Sequence, residues 1–187
     1  MTRSALPRIR RPQQDYMSDR SFERITKSDL KRLARIAREE REDFFQRHPE
    51  WALLYRKRIL CSALCQGAAL HFINGSTGVN DFDVWTFYVQ HPEAAFPHHL
   101  VTHRDFGHSR FGRDTASPAY EGRRVDLTGR SLACEPGADP VAVLQEYLRR
   151  GETPSSRDLR QKAVVLVEPD AYLGYVAWPT LVVSIAG

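Results

Sequence analysis

Two aspartates, Asp81 and Asp83, stand two positions apart just before Val84-Trp85-Thr86-Phe87-Tyr88-Val89. That β-branched and aromatic run predicts a strand. In a strand, positions i and i+2 point to the same face. Two carboxylates therefore share one small volume at the strand's entrance. At about 5 Å and an effective dielectric near 20, their repulsion is roughly 3 kcal/mol. A fold that keeps both must bring something positive to them, either a divalent metal or an arginine.

Upstream, Ile59–Cys65 is a short apolar run that reads as a buried strand, although its periodicity alone also allows a continued helix. Gly67 decides for the strand, because glycine at a strand-to-helix junction permits a tight turn and close approach of a ligand to the backbone. Ala68–Ile73 then reads as a short apolar helix. The N–H groups at its start favour an anion, assisted by the helix dipole, and a triphosphate would rest there. Gly67 also has a plainer reading as a packing glycine. Downstream, Asp126 sits between Val125 and Leu127, a polar residue inside an apolar strand, which is costly without a partner. That partner is a metal, or else Arg123 or Arg124. The Asp81/Asp83 pair likewise has a plainer reading as a strand end balanced by arginine.

The strand, the Gly67-Ala68 turn, the short helix, the Asp81-x-Asp83 pair and the later Asp126 together resemble the nucleotidyltransferase superfamily, the polymerase β-like fold. The 14 residues from Gly67 to Asp81 fit that family's spacing. The chain departs from the pattern at Ala68, where the family usually has glycine or serine, and so lacks a hydroxyl contact to phosphate. The resemblance covers residues 60–90 and, more loosely, 120–130. It implies an α/β (α+β) fold with a small mixed sheet and flanking helices. It implies transfer of a nucleotidyl group from an NTP to an acceptor, which is RNA, a protein or a small molecule. By the same resemblance, Asp81, Asp83 and Asp126 hold Mg²⁺ or Mn²⁺, Asp126 can also activate the acceptor, and Gly67 and Ala68 bind the nucleotide. The alternative is a catalytically inactive member that binds a nucleotide, a nucleic acid or another protein.

Composition sets the frame. The chain has 187 residues, 42% hydrophobic and 27% charged, enough for one domain with its own core. No apolar run approaches the roughly 18 residues of a membrane-spanning helix. The first ten residues are arginine-rich and lack the apolar centre of a signal peptide. Three cysteines, an odd number with no CxxC spacing, fit a reducing cytoplasm. The net charge of +4 is compatible with phosphate-bearing partners. Residues 1–25, with Arg3, Arg8, Arg10, Arg11 and Arg20, read as a disordered basic tail that is either solvated or a partner-binding arm. Residues 26–187 read as a single domain.

The remaining elements follow from caps and periodicity. Ser28 and Asp29 predict the start of an amphipathic helix reaching Arg47, with Glu39, Glu40, Glu42, Arg35, Arg38 and Arg41 on its solvated face. A second helix runs from Pro49 to Lys57 and buries Trp51, Leu54 and Tyr55. His71, on the apolar helix, reads as a core histidine with its hydrogen bonds satisfied. The long segment from Gln90 to Tyr120 reads as a surface loop with one short strand. Its His98, His99, His103 and His108, with Asp105, raise a zinc site as a rival, and Arg104, Arg110 and Arg113 face outward. Asp139-Pro140 starts a helix ending at Gly151. Ser155 or Ser156 caps a short helix over Arg157–Gln161. Lys162–Glu168 reads as a buried strand, with Leu173–Trp178 as its hairpin partner. Arg157, Arg160 and Lys162 either approach phosphates or stay at the surface.

Overall fold

Thr26 opens the first helix, α1 (Lys27–Arg47), by a reciprocal capping pair. Its hydroxyl accepts from the Asp29 N–H, and its own N–H donates to the Asp29 carboxylate. The cap expected at Ser28 therefore lies two residues earlier, because only Thr26 has an acid three positions on to answer it. The computed structural model describes residues 23–96, 102–111 and 123–180. The expected basic tail lies almost wholly outside these residues, as do His98, His99 and Arg113.

Leu30, Leu33, Ala34 and Ala37 form the buried stripe of α1, and Phe44 and Phe45 extend it. Arg41 falls on the same stripe and is buried, as is Glu40, against the expectation that both are solvated. Each is tolerated inside because it is answered. Arg41 donates to Glu168 at 3.1 Å, and Glu40 pairs with Arg47 and Arg104. A buried charge that found no such partner would be expelled or neutralised. The second helix, α2 (Pro49–Tyr55), ends two residues earlier than expected and fully buries only Tyr55. Trp51 and Leu54 remain partly exposed against the aromatic cluster around Tyr88 and Phe96.

Strand β1 (Ile59–Cys65) runs into α3 (Gln66–Asn74), and the chain returns as β2 (Phe82–Val89) antiparallel to β1. The short β3 (Thr102–Asp105) lies antiparallel to β4 (Arg124–Leu132), and β4 lies parallel to β2. After α4 (Pro140–Arg150) and α5 (Pro154–Leu159), β5 (Val164–Glu168) pairs with the other edge of β1 and carries β6 (Val176–Trp178). The mixed sheet has the order β3-β4-β2-β1-β5-β6. Thr153, not Ser155 or Ser156, caps α5, with Ser156 answering it from the third position.

The strands bury both faces. Phe82 and Val84 of β2 join Val125 and Leu127 of β4 in a core beneath α1 and α3. Phe87 and Val89, with Leu132, pack against Leu144 and Leu148 of α4 on the opposite face. This alternation settles where the carboxylates go. Asp83 follows Phe82 and precedes Val84, so its side chain leaves the α1/α3 core for the other face.

Candidate functional site

The parallel register pairs Asp83 directly with Asp126. Neighbours in register project from the same face of a sheet, so two carboxylates that are 43 positions apart in the chain meet side by side. The antiparallel register on the other side pairs Asp83 with Cys65, the residue that precedes α3. The first turn of α3 is thereby set next to the carboxylates. On the outer flank, His103 pairs in register with Asp126, and its Nδ1 lies 2.7 Å from Asp126 Oδ1.

A cleft of about 860 Å³ opens here, lined by Gln66, Gly67, Ala68, Asp81, Asp83 and Lys162 among others. The turn into it differs from expectation in one detail. The left-handed backbone belongs to Gln66, at φ 59°, and not to Gly67. A non-glycine residue there is strained, and such strain persists only where the surroundings hold it. They do so here: the Gln66 N–H donates to the Ala163 carbonyl at 3.0 Å, and its side-chain amide donates to the Asp158 carbonyl at 3.0 Å. Gly67 has neither a left-handed backbone nor a neighbour too close for a side chain. A side-chain carbon on it would sit 3.8 Å from Lys162 Nζ, so that ammonium lies over the turn. No side chain caps the start of α3; the Gln66 N–H is taken by the Ala163 carbonyl, and the N–H groups that follow it in the first turn are left for water or a ligand.

The electrostatics follow from the crowding. Burial, then the charges of Asp81 and Asp126, push the Asp83 carboxyl up to about 6, while Lys162 and Arg124 pull the other way. Arg124 is the arginine anticipated as the alternative to a metal. Its Nε lies 2.9 Å from Asp126 Oδ1 and its Nη2 3.4 Å from Asp81 Oδ2. Arg123 is buried instead, its guanidinium donating to the Phe111 and Asn80 carbonyls. No three carboxylate, histidine or cysteine side chains among the described residues are grouped closely enough to hold a metal ion. The donor chemistry nonetheless suits a hard divalent cation. All three groups are carboxylates, and Asp83 is raised first by burial and then by the other two carboxylates, which Lys162 and Arg124 offset only in part. Arg124 is itself mostly exposed, at 58% of its side chain.

Of the sequence-derived site residues, Asp81, Asp83, Gly67 and Ala68 share the cleft, and Asp126 adjoins it in register. Lys162, set apart there as either phosphate-facing or superficial, belongs to the cleft. His103 belongs with Asp126, while Asp105 accepts from the Gly107 N–H within its own turn. The sequence carried no signal for the His103–Asp126 pair, because it depends on which strands become neighbours. His71 is fully buried and satisfied. Its Nδ1 accepts from the Gly78 N–H, and Nε2 donates to the Glu23 carbonyl, which ties the loop before Asp81 to the start of the described chain. Comparison of the chain with protein families, with curated proteins and with solved structures gives no match.

Proposed function

We propose that this chain is a metal-dependent nucleotidyltransferase that moves a nucleotidyl group from an NTP to an acceptor hydroxyl. The observation that carries the reading is the register match of Asp83 with Asp126. Asp81 stands two residues upstream and lines, with Asp83, the same cleft as the start of α3 and Lys162. Charge of both signs is thus sorted within one cleft: carboxylates for cations, and N–H groups with an ammonium for phosphates.

Asp81, Asp83 and Asp126 would hold Mg²⁺ or Mn²⁺. Bound there, a divalent ion supplies Lewis acidity toward the acceptor hydroxyl and charge balance for the leaving pyrophosphate. The protein's own groups do the rest. Lys162 and the first N–H groups of α3 bind and orient the triphosphate. Asp126, held by His103, takes the proton from the acceptor oxygen as that oxygen bonds to the α-phosphorus and the bond to pyrophosphate breaks. Positioning and electrostatics account for most of the catalysis in such transfers.

A second reading, a nucleotide- or nucleic-acid-binding module without turnover, is favoured by Arg124, which already bridges Asp81 and Asp126. One experiment separates the two. Thermal denaturation is followed with ATP, GTP, CTP and UTP, each with and without Mg²⁺ or Mn²⁺, for wild type and for Asp81→Asn/Asp83→Asn. A ligand at 100 times its Kd stabilises by about 2.7 kcal/mol. A metal-dependent shift lost in the double variant supports the transferase. A metal-independent shift that survives the substitutions supports the binding module, and no shift with any nucleotide refutes the transferase and the nucleotide-binding form of the second reading.

A further inference from the structure

Basic charge is concentrated toward one end of the chain. Residues 1–38 hold 11 Lys and Arg against 4 Asp and Glu, whereas residues 39–187 hold 16 against 19. Such an asymmetry points to a polyanionic partner. In the folded chain, part of this charge is set in a row. At about 3.6 residues per turn and about 1.5 Å per residue, Lys27, Lys31, Arg35 and Arg38 fall within about 80° of the circumference of α1 and along about 17 Å of its length. All four are exposed. The buried stripe of Leu30, Leu33, Ala34 and Ala37 occupies the opposite side.

Neither the helix nor its neighbours account for the row. Lys27 is the first helical residue, where the helix dipole favours an acid over a cation. Lys27 and Lys31 form no ion pair with any acid among the described residues. Arg35 meets Glu39 at 3.5 Å with both side chains 60% exposed, a pair that contributes little. Arg38 reaches Glu168 at 3.0 Å, but Arg41 and Ser62 already hold that carboxylate. Of the other acids beside the row, Glu42 is drawn to Arg56 at 3.2 Å, and Asp170, on the turn after β5, pairs with none of the four.

The face also discriminates between kinds of polyanion. Every exposed residue of α1 is polar or charged, so the helix has no apolar side chain to insert into a lipid surface. A phosphodiester backbone needs none, because cations at intervals suffice to hold it. Beyond the N-terminal end of the row, Arg24 lies over Gly75, where a side-chain carbon would sit 3.2 Å from Arg24 Nε. Ser76, the next residue, lines the carboxylate cleft, so the basic surface reaches the rim of that cleft.

We propose that this face of α1 is a nucleic-acid-binding surface on which Lys27, Lys31, Arg35 and Arg38 contact the phosphates of a strand without reading its bases. It uses none of the cleft residues and stands whether or not the nucleotidyl-transfer reading does.

The test is fluorescence anisotropy of a fluorescein-labelled oligouridylate titrated with the full chain, in EDTA and without NTP, over a series of KCl concentrations. Binding is expected, with a logarithm of affinity that falls linearly with the logarithm of salt. Lys27→Gln/Lys31→Gln/Arg35→Gln removes three phosphate contacts. At about 0.7 per contact for a single strand, the salt slope should become shallower by about 2, and affinity near 0.1 M KCl should fall about a hundred-fold. The triple variant should melt no lower than wild type, since Lys27 opposes the helix dipole. Lys27→Arg/Lys31→Arg/Arg35→Lys keeps the charge and should keep both affinity and slope. Lys57→Gln/Arg149→Gln/Arg150→Gln removes the same charge from exposed positions away from α1 and should leave the slope unchanged. Four results would overturn the proposal: no binding of the oligonucleotide, an unchanged slope in the first variant, an equal loss in the variant away from α1, or capture on phosphatidylserine vesicles without oligonucleotide binding.

Discussion

Asp83→Asn is expected to stabilise the metal-free protein, by an amount that depends on pH. A carboxyl moved from its ordinary 3.8 to about 6 carries roughly 3 kcal/mol of unfavourable interaction when ionised, at about 1.36 kcal/mol per pH unit. Asp83 is only partly buried, and solvent screening reduces this to about 1–2 kcal/mol. Between 3.8 and about 6 the folded chain binds more protons at this site than the unfolded chain does. The stability associated with the protonated form is therefore fully present below 3.8 and is lost as pH rises through about 6. Asparagine keeps the shape and never ionises. In EDTA, wild type and variant should melt together near pH 4. They should diverge as pH rises until the variant melts higher by about 2–8 °C at pH 7.5, given about 2–4 °C per kcal/mol for a chain of this size. Differential scanning calorimetry across that range measures it. A melting difference that stays constant with pH, or a variant less stable than wild type at pH 7.5, would mean that the carboxylates are not crowded and that Arg124 fully balances them.

Arg124→Gln withdraws the cation that now sits between Asp81 and Asp126. Metal-free stability should fall by about 1 kcal/mol, as for a largely exposed pair, while Mg²⁺ should bind about ten-fold more tightly, near 1.4 kcal/mol; isothermal titration measures the second, and unchanged Mg²⁺ affinity would count against a metal site. Arg41→Met strands Glu168, which accepts from Arg41 and from Ser62 at 2.7 Å, and a broken buried ion pair costs about 3–5 kcal/mol in urea denaturation. Burial opposes the ionised Glu168, but Arg41, Ser62 and Arg38 outweigh it and hold its carboxyl below the usual 4.5. Its contribution is therefore present above pH 4.5 and lost as pH falls through the depressed value, so Glu168→Gln should lower stability at neutral pH and flatten the acid limb of the stability profile. Gly129→Ala would drive a methyl into the Phe96 ring and cost about 1–3 kcal/mol by overpacking, which a urea midpoint would show.

The local part of the fold was legible because local rules govern it. Apolar periodicity gave α1, and the acid three residues after Thr26 was there to be read, although Ser28 drew attention away from it. The run Val84–Val89 gave β2, and the cap and proline at Asp139-Pro140 gave α4. Errors arose where a residue's local character and its distant partners disagreed. Arg41 looks like a surface residue until Glu168, 127 positions later, arrives to receive it. Gly67 looked like the residue of the turn, yet Gln66 holds the left-handed position because the backbone of Ala163 and the side-chain bond to Asp158 clamp it there.

The candidate site divides in the same way. The sequence by itself put Asp81 and Asp83 two positions apart at the entrance of a strand, and showed that Asp126 would need a partner; β2 begins at Phe82, so Asp81 stands just before it and meets Asp83 in the cleft rather than through the strand's period of two. Only the tertiary structure decided that Asp126 stands beside Asp83, that Lys162 reaches the turn at Gly67, and that His103 and Arg124 flank the carboxylates. The reason is physical. Strand order and register are set by the packing of both sheet faces and by backbone pairing between distant segments, and a short window of sequence contains only one side of each pair.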